Sequence, residues 1–233
     1  MDTTTYLRRR EELQQYFDRT AVDAWERLTS SAPVSRIRAT VRAGRDAMRD
    51  RLLAYLPQDL EGHSLLDAGC GTGSFSVAAA SRGATVLGVD LSPTLISLAK
   101  RRIPPALRHG SLQFCVGDMC DATLGEFDHV VAMDSLIHYD ITDTLKALGS
   151  FAGRTTTSIL FTFAPRTPLL AAMHAAGRLF PRSDRAPAIE PVAERNLRQM
   201  VQTEPGLSGW RLARSEIVSC GFYKSQAVEL TRT

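Results

Sequence analysis

Apolar residues recur at helical spacing through two stretches near the start of the chain, "LQQYFDRTAVDAWERL" (13–28) and "IRATVRAGRDAMRDRLLAYL" (37–56). Each predicts an amphipathic helix. Pro57 and the Gly-His-Ser run at 62–64 end that region. A different rhythm follows. Short apolar runs of strand length at 64–69, 85–90, 112–118, 129–134 and 158–164 alternate with polar or helical segments, among them helices at 73–83 and 92–102. Ser92 followed by Pro93 gives the second of these helices a capped start. Strands that alternate with helices predict a parallel sheet covered on both faces.

The end of the chain breaks the alternation. Residues 211–232 read as two alternating strands joined at Cys220 and Gly221, a hairpin in which one strand must run antiparallel to the rest. Between the fifth strand and this hairpin, residues 165–201 are long for a connection in a compact domain, and connections of that size serve as lids or binding elements. The chain therefore divides into an N-terminal helical cap (1–57), an α/β core (58–164), a helical lid (165–201) and a C-terminal hairpin that completes the core sheet (202–233).

Composition narrows the classes. With 233 residues, 44% of them hydrophobic, the chain can bury a real core as one large domain with an added subdomain. A net charge of +3 is too small to imply a nucleic-acid partner. The four cysteines form no CxxC pair and no zinc spacing, so they read as reduced thiols of a cytoplasmic protein, and no protein-bound metal is expected. The start, "MDTTTYLRRREELQQYF", has no apolar signal region. The segment "PLLAAMHAAGRLF" (168–180) is too short and too interrupted to span a bilayer, though it leaves peripheral contact with a membrane surface open.

The clearest chemistry lies in "LLDAGCGTGSF". A strand ends near Asp67, then Gly69, Gly71 and Gly73 alternate before a helix. Such a turn lets backbone approach a ligand closely. The dinucleotide fingerprint wants its third glycine at position 74, which is Ser74. Asp67 would repel a pyrophosphate but suits a cationic ligand head. The next strand ends in Asp90, placed for ribose hydroxyls, and the third ends before Asp118, within reach of an adenine amino group.

Together "LDAGCGTG", "GVD" and "VGD" resemble the class I S-adenosylmethionine (SAM)-dependent methyltransferases. The resemblance implies a Rossmann-like sheet of seven strands with the last one antiparallel. It implies that Asp67 and the glycines hold the methionine end, Asp90 with Leu91 the ribose, and Asp118 with Met119 the adenine. Thr20 and Asp134 complete the expected cofactor set.

Beyond the core, "YFDRTAVDAWERL", "DSLIHY", the 163–191 segment and "GFYKSQAVEL" resemble magnesium-protoporphyrin IX O-methyltransferase, a family of chlorophyll and bacteriochlorophyll synthesis. That resemblance implies methyl transfer from SAM to a propionate of Mg-protoporphyrin IX, with the magnesium belonging to the substrate. It implies functional roles for Tyr16 and His138 and points to a magnesium-chelatase subunit as a handover partner. For such a substrate, the 165–201 segment offers an apolar helix face that includes Met173 to a flat macrocycle, Arg166, nearest the fifth strand, is placed to pair with a propionate, and Tyr139 beside His138 is a further candidate contact. The family often carries proline after "IHY", where this chain has Asp140, which puts the local turn in question. Other readings stay open at this point: a methyltransferase for another acid or a phenol such as a quinone precursor, an NAD-dependent reductase, or a non-catalytic porphyrin carrier. His138 can be an orienting group, a base or an axial magnesium ligand.

Overall fold

The computed structural model describes residues 4–20, 36–107, 109–166 and 189–233. Two helical pieces precede the core: α1 (Thr4–Gln15), running into a π-helical turn (Tyr16–Thr20), and α2 (Arg36–Tyr55). The core then alternates β1 (Ser64–Ala68), α3 (Ser74–Ala80), β2 (Thr85–Asp90), α4 (Pro93–Arg101), β3 (Ser111–Val116), β4 (Phe127–Ala132), α5 (Ile141–Ala152) and β5 (Thr155–Phe163). Helix α6 (Glu194–Thr203) and the hairpin β6 (Trp210–Cys220) and β7 (Tyr223–Arg232) complete the chain.

The seven strands form one sheet in the order β3-β2-β1-β4-β5-β7-β6. The first five pair in parallel, and β7 runs antiparallel to both β5 and β6. Strand order reverses between β1 and β4, so the crevice beyond their carboxyl ends is where such sheets bind ligands.

The central strands β1, β4 and β5 are apolar on both faces because both faces are covered. Leu66, Val130, Ile159 and Phe161 pack with α1, α5 and α6 on one side. Leu65, Val131 and Leu160 pack with Met48 and Leu52 of α2 and Phe75 of α3 on the other. Successive residues thus serve opposite layers, as the two-residue repeat of a strand requires. Each fully buried leucine adds about 1.5–3 kcal/mol.

Two elements extend beyond their apolar pattern for physical reasons, the first of them within the 1–57 stretch that reads as helical. Helix α1 begins at Thr4 although its only buried side chains are Tyr6 and Leu13. Two contacts seven residues apart make too narrow a stripe for periodicity to detect. Strand β5 begins at Thr155, ahead of its apolar run. Its first hydroxyls are used locally: Thr155 donates to the carbonyl of Phe151 and Thr156 to Asp128. These are β-branched residues that favour strands without being apolar.

Candidate active site

The glycine turn after β1 is welded to the end of β2, because the N–H groups of Gly69 and Cys70 both donate to the carbonyl of Val89, at 2.8 and 3.0 Å. Gly69, Gly71 and Gly73 have φ of 82°, 55° and 78°. At Gly69 the constraint is double. A side chain there is conformationally disfavoured, and its Cβ would sit 2.4 Å from the Cβ of Ser135. Ser135 in turn donates to the carbonyl of Ala68 at 2.8 Å, so the exit of β4 is clamped onto the turn after β1.

Asp67 is 1% exposed and accepts a short hydrogen bond from the Ser76 hydroxyl. Burial pushes its carboxyl up to about 7, against the Ser76 bond that favours the ionised form and with a further rise from Asp90. Asp90 accepts from the N–H of Gly71 at 2.8 Å and of Ser92 at 2.9 Å. Burial raises its pKa as well, opposed by those N–H donors. One carboxylate therefore holds both the glycine turn and the start of α4. The Ser92 hydroxyl caps α4 by accepting from the N–H of Leu95 and donates to Asp18, which ties the π-helical turn to the same corner.

Asp118 lies just past β3. Its carboxylate accepts from the Tyr6 hydroxyl at 2.6 Å, from Arg10 at 2.9 Å and from the N–H of Cys120 at 2.8 Å. Helix α1 is thereby latched over the cofactor end of the crevice. Any adenine amino group must share a carboxylate that already accepts three bonds. Tyr139 stacks on Tyr6 with ring centroids 5.0 Å apart.

His138 ends a 3-10 turn, Leu136–His138, that leaves β4, and it is largely buried. Phe17 meets its ring edge-on at a centroid distance of 6.2 Å, and Tyr16 meets Phe17 at 5.2 Å. The departure at Asp140 is benign. Its φ of −65° is the value proline imposes, and its side chain accepts from the N–H of Asp143 as the N-cap of α5. The N–H of Glu190 donates to the carbonyl of Ile137, so the chain returning toward α6 braces the His138 turn.

Many of these groups meet at one cleft that opens to solvent. Around it stand Asp67, Gly69, Gly71, Asp90, Leu91, Asp118, Met119, Asp134, His138 and Tyr139, all anticipated from sequence. Gly73 caps α3 behind them. Tyr16 is half-buried beside Phe17 but does not line the cleft, and burial raises its phenol pKa. Arg166 is exposed and away from the cleft wall, with its N–H bonded to Val192. Met173 and the side chain of Thr20 lie outside the described residues, as do residues 167–188 of the lid segment. The sequence reading missed Tyr6, Leu13, Phe17, Arg45 and Ser135 as cleft residues. Phe17 and Ser135 carried a signal, through their places beside Tyr16 and within "DSLIHY".

The residues present fit SAM. A close-approach glycine faces the cleft at the strand-order reversal, a buried carboxylate stands beside it for a cationic head, and a second carboxylate ends the next strand. A parallel sheet with that cradle and an antiparallel β7 defines a class I SAM-dependent methyltransferase. Comparison with known proteins sharpens the class. Residues 65–155 match a general methyltransferase domain, and residues 132–232 match the C-terminal domain of magnesium-protoporphyrin IX methyltransferases. The magnesium-protoporphyrin O-methyltransferase of Rhodobacter capsulatus is 48% identical over 96% of this chain and 97% of its own. A crystal structure of magnesium protoporphyrin IX methyltransferase from Synechocystis with bound S-adenosylhomocysteine (SAH) superposes with a TM-score of 0.83. It is 28% identical and covers 96% of this chain and 99% of its own. A SAM-bound structure from the same source gives 0.76, at 25% identity and covering 97% of each chain. The chain belongs to the magnesium-protoporphyrin IX O-methyltransferase family.

Proposed function

We infer that the protein transfers the methyl group of SAM to a propionate carboxylate of Mg-protoporphyrin IX, giving the monomethyl ester and SAH. The observation that carries this reading is the 48% identity over 96% of the chain, which takes in the cap and the acceptor side as well as the SAM core. SAM supplies an electrophilic methyl group on a sulfonium, and the bond formed to the propionate oxygen replaces the bond to sulfur. The acceptor needs no general base. A propionate titrates near a glutamate, about 4.3, and is ionised at neutral pH. The protein's work is then alignment and exclusion of water. His138, in the wall where β4 exits, is proposed to orient the acceptor. Tyr16, behind Phe17, is proposed to support it. Radiolabelled methyl transfer tests the function: Mg-protoporphyrin IX should be labelled and converted to a monoester. Equal or better labelling of metal-free protoporphyrin, or of a quinone precursor, would defeat this reading.

Asp67 is proposed to receive the ammonium of the methionine end. Its carboxyl sits above the ordinary carboxylate range, so the folded state holds the proton more tightly than the unfolded chain. The stability this contributes is complete below about pH 4 and is lost as pH rises through about 7. Cofactor binding needs the ionised form, so affinity should rise over the same window. Asp67→Asn keeps the shape and an acceptor for Ser76. It should raise the melting temperature of the ligand-free protein at pH 8 and abolish the further rise on adding SAH. Thermal melts at pH 5.5 and 8 check this, and an undiminished SAH-induced shift in the variant would exclude the role.

Handover of the porphyrin from a magnesium-chelatase subunit and peripheral contact with a membrane belong to the same proposal. No helix among the described residues is long and apolar enough to cross a membrane. Co-sedimentation with the chelatase subunit and with anionic vesicles tests the two separately, and recovery of the protein in the unbound fraction would refute each.

A further inference from the structure

An acceptor carboxylate has to enter a cleft that already holds Asp67, Asp90, Asp118 and Asp134. Arg45 is the only arginine or lysine among the described residues lining it. It comes from α2, which lies close against β7: a Cβ at Gly44 would stand 2.5 Å from the ring of Tyr223. That close approach carries the Arg45 guanidinium to the end of β4, where Nη1 donates to Asp134 at 2.8 Å. The Arg45 side chain is 20% exposed and that of Asp134 is 6% exposed.

Asp134 is built to hold this position. It is the one described non-glycine residue with positive φ, at 55°. Its N–H donates to the Thr162 hydroxyl at 2.8 Å, and that hydroxyl donates back to the carboxylate at 3.2 Å. Tyr223 donates to both carboxylate oxygens, at 3.0 and 3.1 Å, and Ser225 approaches at 3.5 Å. Burial, reinforced by the charge of Asp134, keeps the Tyr223 phenol well above its ordinary range, so it stays a donor. Such strain persists only where surrounding bonds over-determine it, and it clusters at functional positions.

The placement separates two sides of the cleft. Asp67, Asp90 and Asp118 come from β1, β2 and the segment just past β3. The groups around Asp134 come from β5, β7 and α2, on the opposite side of the strand-order reversal. We propose that Arg45 receives the carboxylate of the acceptor, with Asp134 as the residue that positions it. A guanidinium matches a carboxylate in fork geometry, and this one is the arginine that the described cleft wall presents to an anionic substrate. Arg45 thereby selects for a free propionate at the methyl-transfer position. This rests on the propionate reading above.

The experiment compares binding of Mg-protoporphyrin IX with binding of its dimethyl ester, followed by fluorescence, alongside calorimetric affinity for SAH. The wild type should prefer the free acid roughly 10- to 100-fold, the range set by a hydrogen bond to a charged group. Arg45→Met should erase that preference and leave SAH affinity unchanged, which also shows that the variant folds. Arg45→Lys should restore part of it, since a point charge remains without the fork. An Arg45→Met protein that still prefers the free acid overturns the proposal. So does a loss confined to SAH affinity, which would place Arg45 on the methionine carboxylate. A wild type that methylates the porphyrin without preferring the acid removes the role of Arg45 alone. One that neither binds nor methylates it removes the function as well.

Discussion

His138→Ala is expected to lower kcat about 100-fold while leaving SAH affinity within about twofold, the loss that follows when a reacting group is misplaced by about 1 Å. The ring sits at the exit of β4, largely buried, with Phe17 against its edge. Its removal opens a hole in the cleft wall, which on the proposed reading lies beside the acceptor and lets water reach the propionate. The cofactor cradle is built from other elements: the turn after β1, the end of β2 and the segment after β3. Binding of SAH should therefore survive. The same measurements separate orientation from base catalysis. An orienting role leaves kcat flat with pH above the titration of the propionate, about 4.3. A rise in kcat centred near 6.5 that disappears in His138→Ala would instead make the imidazole a base, and the alignment argument would fall.

Gly69→Ala is expected to weaken SAH binding by at least about 100-fold and to destabilise the protein by about 2–4 kcal/mol, the sum of a left-handed backbone and an overpacked contact. The φ of 82° disfavours a side chain, and the new Cβ would lie 2.4 Å from the Cβ of Ser135. Neither partner can retreat easily. The N–H of Gly69 is held by Val89 and the hydroxyl of Ser135 by Ala68. Relief of the clash must push the glycine turn into the space the cofactor needs. Adding Ser135→Gly to Gly69→Ala should recover part of the stability, because it removes the contact and leaves the backbone term. Calorimetry and thermal melts decide the matter. A single variant that binds SAH within threefold of wild type would show that the turn does not need this approach.

The features legible in the chain were local ones. The glycine turn, the aspartates ending successive strands and the alternation of strands with helices are patterns of spacing over a few residues. The covalent chain and the geometry of strand and helix dictate them. The hairpin at Cys220 and Gly221 was visible in the same way and required one antiparallel strand; the sheet order made it β7, which runs against β5. The motifs outside the core were read by resemblance. Of these, His138 and Tyr139 stand in the cleft wall, while Tyr16 stands behind Phe17 and Arg166 lies away from it.

What only the tertiary structure decided were contacts between residues far apart in the chain. Tyr6 and Asp118 are 112 positions apart and joined at 2.6 Å. Nothing in the polar run of α1 distinguishes Tyr6 from a surface residue until β3 is placed beside it. Arg45 and Asp134 are 89 positions apart. On α2 Arg45 is one arginine among several, and only the closeness of Gly44 to Tyr223 carries it into the cleft. Local spacing determined the cradle for the cofactor because that cradle is a turn between adjacent elements. The cluster around Asp134, proposed above as the acceptor side, gathers side chains from α2, β5 and β7 at the exit of β4, and their convergence exists only once the sheet has ordered its strands.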